Sequence, residues 1–177
     1  MKGLDNMQVN EAIKERRSIR NYNDQMLNES TLKEILNLGI LAPSAKNTQP
    51  WYFKVIYKDK ILKEKIADML VDKMGNIALR TSNAIKTSEA LVIVYGNINN
   101  EVFDYSSIGA CIENMLLSAI ELGVSSLWIG YILEIEKELR NILPTEKKLV
   151  AAIALGYSDE HPAARPRKSL EEVTEFY

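Results

Sequence analysis

Residues 105–123 read YSSIGACIENMLLSAIELG. Ile108, Ala110, Cys111, Ile112, Met115, Leu116, Ala119, Ile120 and Leu122 recur at helical spacing and cover more than one face. The pattern predicts the longest helix of the chain, over about Tyr105–Leu122, closed by Gly123. A helix apolar on that many sides is buried on several sides. In a chain of 177 residues, one of those sides can be a subunit interface.

Outward from this helix, strands and shorter helices alternate. Upstream, Ala90–Tyr95 is a short run rich in Val and Ile, the mark of a buried strand. Downstream, Ser126–Ile132 reads as short and extended, and Leu149–Leu155 as a last core strand. Further upstream, Trp51, Phe53, Val55 and Tyr57 alternate with Tyr52, Lys54 and Ile56, which suits another strand. Met7–Arg16 reads as a first helix, with Val9, Ala12 and Ile13 on one face. A second helix runs from about Ser30 to Leu41, with Asn28 as N-cap and Pro43 beyond its end. Lys60–Leu70 is amphipathic, and Glu134–Leu143 is a helix ended by Pro144. After Gly156 the chain turns polar and proline-rich and should run as an arm over a surface. Few strands interrupted by helices predict one domain over residues 1–177 of mixed α and β class.

Composition narrows the function. At 46% hydrophobic and 26% charged residues the chain matches an ordinary globular protein. A net charge of −2 gives no global field toward nucleic acid or an anionic membrane. No apolar run reaches the roughly 18 residues of a membrane span. The segment Met1–Met7 contains Asp5 and no hydrophobic stretch, so no secretory signal is expected there. With Cys111 as the single cysteine, an intramolecular disulfide is impossible; together these features point to the cytoplasm. One cysteine and one histidine, His161, also argue against a His/Cys metal site. Asn28-Glu29-Ser30 matches a glycosylation sequon and, without a signal, is read as chance.

Four segments carry candidate chemistry. Arg16-Arg17-Ser18-Ile19-Arg20 sets three guanidinium groups and a hydroxyl just past a helix. Arginine offers fixed bidentate donors that suit phosphate oxygens, each charge-assisted bond contributing on the order of 1.5–3 kcal/mol. The pentad alone also reads as a solvated basic turn. Residues 42–51, APSAKNTQPW, form a proline-stiffened loop that either presents amides and hydroxyls to a heterocycle or simply joins helix to strand. Arg165-Pro166-Arg167-Lys168 gathers three positive charges in the arm, where a solvated tail is the plain reading. Leu127-Trp128-Ile129-Gly130 ends in a glycine that lets a planar ligand approach the backbone, although strand ends often carry glycine.

These segments in this order resemble the nitroreductase family, and the resemblance spans about Met7–Phe176. It implies an α+β fold, with a central mixed or antiparallel sheet flanked by helices. It also implies a homodimer with FMN at the subunit interface, the long helix in that interface, and an arm reaching the partner. Position by position, Arg16, Arg17, Ser18, Arg165 and Arg167 would approach the FMN phosphate. Arg20 would stand beside N1 and O2 of the flavin, where a preference of 1.4 kcal/mol for the reduced ring raises a two-electron potential by about 30 mV. Pro43, Ser44, Ala45, Asn47 and Gln49 would come from the other subunit. Ile129 and Gly130 would lie near N5. Asn83 is the candidate for a further polar contact, with Thr81 or Lys86 as alternatives.

The implied activity is oxidoreductase: NADH or NADPH reduces FMN and leaves, and an electron-poor acceptor such as a nitroaromatic or quinone takes its place, in ping-pong fashion. No GxGxxG fingerprint is present, as expected if the nicotinamide binds transiently. Cys111 reads as a packing residue and His161 as a surface one. Val71–Lys86 is the expected substrate-side cover. Three other readings stay open: a dehalogenase or ene-reductase on the same scaffold, a flavin carrier or sensor without turnover, and a nucleic-acid binder. A pI of about 5.6 speaks against the last.

Overall fold

The computed structural model describes residues 7–177, so the first six residues, where no secretory signal is read, lie outside it. Strands β1 (Trp51–Tyr57), β2 (Ala90–Gly96), β3 (Ser125–Ile129) and β4 (Lys148–Gly156) form one sheet in the order β1-β2-β4-β3. All three pairings are antiparallel. An isolated parallel bridge, Ser18 to Ser126, fastens the segment after the first helix to the edge at β3.

Six helices complete the described fold: α1 (Val9–Glu15), α2 (Glu29–Gly39), α3 (Lys60–Met74), α4 (Leu79–Thr87), α5 (Glu101–Glu121) and α6 (Glu136–Ile142). They cover both faces of the sheet, and the period of two along β2 sorts the core. Ala90, Val92 and Val94 pack with Leu32 and Ile35 of α2 and with Ile108, Cys111, Ile112 and Met115 of α5. Leu91, Ile93 and Tyr95 pack with Ile66 and Leu70 of α3 and with Ala84 and Ile85 of α4. In β4 the alternation breaks once. Leu149 and Ala151 are two residues apart yet face opposite layers, because the register against β2 slips between Val94 and Tyr95.

Helix α2 starts where its cap requires: Asn28 Oδ1 accepts the Thr31 N–H at 2.9 Å. Helix α5 is longer than the apolar pattern indicates. Asn100 caps it, accepting the Phe103 N–H at 3.1 Å, and its first turn holds Glu101 and Asp104, which suit a positive helix end. It closes at Gly123, whose φ of 71° is the left-handed value a glycine cap supplies.

Three further expectations change. Helix α3 runs on to Met74, beyond Leu70. The extended stretch ends at Ile129, because Gly130 takes helical dihedrals (φ −79°, ψ −32°) and opens a 3₁₀ turn over Tyr131–Ile135. Helix α6 therefore begins at Glu136 rather than Glu134.

Candidate functional site

The basic pentad becomes a site because two buried side chains anchor it. Ile19 and Tyr22 sink into the core, and the Ile19 N–H donates to the Ser126 carbonyl at 3.1 Å. The Tyr22 hydroxyl donates to the Ala154 carbonyl at 3.1 Å. With these residues inside, the polar ones between them face outward.

The C-terminal arm then crosses the same segment. The Glu160 carboxylate accepts the N–H groups of Arg20 at 2.8 Å and Asn21 at 3.2 Å. Arg17 Nε donates to the Pro162 carbonyl at 3.3 Å, and the Asn23 N–H to the Tyr157 carbonyl at 2.8 Å. This lacing carries Arg165 and Arg167 to the pentad, although about 150 residues separate them in sequence. Arg16, Arg17, Ser18, Arg20, Arg165 and Arg167 all line one cavity of about 450 Å³. Among the described residues its only lining carboxylate is Glu160, which is held by backbone donors. Arg16 additionally lies 3.7 Å from Glu113.

A second cavity of about 350 Å³ shares Arg20, Arg80 and Arg165 with the first. Leu127, Trp128, Ile129 and Gly130 run along it, with Ile77, Thr81 and Tyr131 opposite or beside them. A Cβ added at Gly130 would meet nothing within 4 Å, so the chain's own packing does not demand glycine there. The open space above this backbone is what a flat ring needs for close approach.

The remaining candidates are placed differently. Asn83 Nδ2 donates to the Arg20 carbonyl at 2.8 Å and lines a smaller cavity with Arg20 and Arg80. Thr81 lines the ring-sized cavity, whereas Lys86 pairs with Asp68 at 2.6 Å and lines none of these cavities. Pro43, Ser44, Ala45, Asn47 and Gln49 also line none of them in their own chain. Their loop packs beside α5, where the Ala45 N–H donates to Ser107 Oγ at 3.3 Å. It is a strained loop: Lys46, Asn47 and Gln49 take φ of 53°, 55° and 45°. The Gln49 N–H is pinned by Ser44 Oγ at 3.0 Å.

Two residues escape the sequence reading. Arg80 lines three of the cavities but sits on α4, a helix with no visible apolar stripe. Glu160 acts through contacts 139 and 140 residues away, for which no local motif exists. Cys111 is buried in the α5 layer, and burial pushes its thiol up to about 12, so it is a neutral packing residue at ordinary pH. His161 lines a fourth cavity beside Arg16 and Pro162. No cluster of metal-ligating side chains occurs among the described residues. No helix there is long and apolar enough to cross a membrane.

The arrangement therefore offers a cationic, hydroxyl-bearing cradle joined through Arg20, Arg80 and Arg165 to a slot with an open backbone floor. Comparison with known proteins agrees with that chemistry. A relative in Methanothermobacter thermautotrophicus, provisionally named NADH dehydrogenase/NAD(P)H nitroreductase, is 32% identical over 92% of this chain and 83% of its own. A crystal structure from Desulfovibrio desulfuricans, of a provisionally assigned nitroreductase in complex with FMN, matches with a TM-score of 0.81 and 30% identity, covering 97% of this chain and 98% of that one. A nitroreductase with bound FMN from Bacteroides fragilis matches with a TM-score of 0.78 and 25% identity, over 97% and 99% of the two chains. The family model described as the nitroreductase family matches residues 13–157, and on that span the chain belongs to the nitroreductase family.

Proposed function

We propose that this chain is an FMN-dependent oxidoreductase that takes hydride from NADH or NADPH and delivers electrons to nitroaromatics, quinones or similar electron-poor acceptors. One observation carries the reading: the arginine-lined cavity and the slot along Ile129–Gly130 meet at Arg20, Arg80 and Arg165. A phosphate-bearing flat heterocycle matches that pair of spaces in chemistry. When bound, FMN supplies the hydride-accepting ring, so the protein needs no nucleophile or triad.

The chain's own residues hold and tune. Arg16, Arg17, Ser18, Arg165 and Arg167 would bind the phosphate with charge-assisted donors. Arg20 would set positive charge beside the edge of the ring that becomes electron-rich, favouring reduction. Its backbone cannot drift, because Glu160 holds its N–H and Asn83 its carbonyl. Ile129 and Gly130 would leave the ring's reacting edge uncovered, since an added Cβ at Gly130 meets nothing within 4 Å. Donor and acceptor would use the same open slot in turn, which predicts parallel initial-rate plots.

The working unit in this proposal is a homodimer of single-domain chains, residues 1–177, acting in the cytoplasm. The strained loop Pro43–Gln49 supports it, since it carries Ser44, Asn47 and Gln49 and lines none of the four cavities described above. A second copy would lay that loop on the site.

The test is spectroscopic. The purified protein is loaded with FMN, freed of excess, and titrated anaerobically with NADH and then NADPH. Bleaching of the flavin bands, and their return on adding a nitroaromatic or a quinone, is the expected result. Bound flavin that neither nucleotide bleaches would make the protein a flavin carrier instead. Failure to retain flavin would remove the cofactor assignment altogether.

A further inference from the structure

We propose that Lys63, buried on α3, is a positioning residue: it holds the C-terminal end of α4 and, through that helix, fixes the backbone of Arg20. The part of this that concerns the flavin rests on the oxidoreductase reading above, in which Arg20 stands beside the ring.

Lys63 stands where an apolar residue would be expected. It is 2% exposed, and α3 buries it together with Ile66, Ala67 and Leu70. Among the described residues it makes no ion pair. Burial lowers the pKa of its ammonium, and the charge of Glu89 offsets only part of that. An apolar side chain of similar length would fill the same space without desolvating a charge. What it could not do is donate a hydrogen bond. Lys63 Nζ donates to the carbonyl of Ser88, the residue that caps the end of α4.

Helix α4 needs such a hold. It has nine residues, and the only apolar ones it buries are Ala84 and Ile85. A helix that short draws its stability from tertiary contacts rather than from its own turns. Polar groups tie its last turn: Ser88 Oγ donates to the Ile85 carbonyl at 3.0 Å, and Thr87 Oγ1 to the Asn83 carbonyl at 2.8 Å. The same turn reaches the site. Thr87 Oγ1 accepts the Tyr22 N–H at 3.2 Å, and Asn83 Nδ2 donates to the Arg20 carbonyl at 2.8 Å. Asn83 and Thr87 are one turn apart, so both bonds leave the helix on one face. The backbone from Arg20 to Tyr22 thus hangs on α4 at two points, and an ammonium from α3 pins the end of that helix.

The experiment pairs Lys63→Met with Gly39→Ala, a control that strains the contact of Gly39 with Met115 on α5 and leaves α4 alone. In the flavin-free proteins, amide hydrogen exchange is followed by NMR at Tyr22, whose N–H is held by Thr87, and at Val92 of the central strand β2 as a gauge of global opening. In Lys63→Met, exchange at Tyr22 should rise at least about tenfold more than at Val92, and Gly39→Ala should show no such selectivity. In the FMN-loaded proteins the flavin midpoint potential is measured against reference dyes, with no nucleotide present. Lys63→Met should weaken the preference for reduced flavin by about threefold to tenfold, the upper figure being a fall of about 30 mV, and Gly39→Ala should leave it unchanged. On an Asn83→Ala background Lys63→Met should add little, because the link is already cut. Lys63→Gln, still polar but one atom too short for the same bond, is read in the same way if the methionine variant does not fold. Unselective exchange at Tyr22, or a potential that falls as far in Gly39→Ala, would overturn the proposal. Selective loosening at Tyr22 with an unchanged potential would overturn the reach to Arg20 and leave the oxidoreductase reading standing. A wild-type protein that retains no flavin would sink that reading, and the exchange data would still decide whether Lys63 holds the segment.

Discussion

Gly39 and Gly130 lack a side chain for opposite reasons. At Gly39 a Cβ would lie 2.5 Å from Cγ and 2.8 Å from Cε of the buried Met115, because α2 and α5 touch there. Gly39→Ala should therefore cost about 1–3 kcal/mol and lower the melting temperature by several degrees. An unchanged melting temperature would mean that Met115 can step aside. At Gly130 the space is open, so Gly130→Ala should leave the melting temperature of the flavin-free protein unchanged and loosen FMN, as equilibrium dialysis would show. Equal FMN affinity would disconnect that floor from the ring. Protons give a second test at this scale. Burial raises the Tyr22 hydroxyl, and it raises the Cys111 thiol from 9.0 to about 12. A raised folded pKa means that the folded state keeps its proton longer. The corresponding stability is complete below the unfolded value and is lost as pH rises toward the folded one. The urea midpoint should thus hold from pH 7 to about 8.5 and fall above pH 9, by up to about 1.4 kcal/mol per unit for each group. Lys63, whose ammonium burial lowers, pulls the other way. Cys111→Ala isolates the thiol, since the early part of the fall should vanish in that variant.

Helix boundaries show what a linear pattern can carry. Asn28→Ala removes the acceptor for the Thr31 N–H and for the hydroxyls of Ser30 and Thr31, and should cost α2 about 1 kcal/mol in chemical denaturation. A loss below a few tenths would show that water replaces the cap. That cap, strand β1 to its two end residues, and the glycine closing α5 were legible, because each rests on local chemistry. Helix α4 was not. Its buried positions are Thr81, Ser82, Ala84 and Ile85, and small polar residues hide the stripe that hydropathy looks for. Arg80 was lost along with its helix. The start of α5 was hidden for the reverse reason, since Val102 and Phe103 are apolar yet exposed. The basic pentad and the arm's arginines could be read as sites only together, and what joins them is the tertiary lacing by Glu160, Arg17 and Asn23.

On the scale of the whole molecule, an exposed apolar surface remains to be accounted for. Val102 is 72% exposed, Phe103 55% and Leu41 73%. Light scattering should give twice the 20.1 kDa of one chain. Phe103→Glu should shift the protein toward monomer and weaken FMN retention together. A monomer that keeps its full FMN would remove the interface from the site. The lacing of the arm across the pentad also has a consequence in time. Protein synthesis proceeds at about 5–20 residues per second, so Arg167 leaves the ribosome's catalytic centre roughly 8–30 s after Arg16. If the proposed phosphate assignment holds, a growing chain would carry only half of that cradle during the interval, with the arm's guanidinium groups still to come. On the same assignment, commitment to one cofactor would wait until the last strand is made and the arm can be tied down.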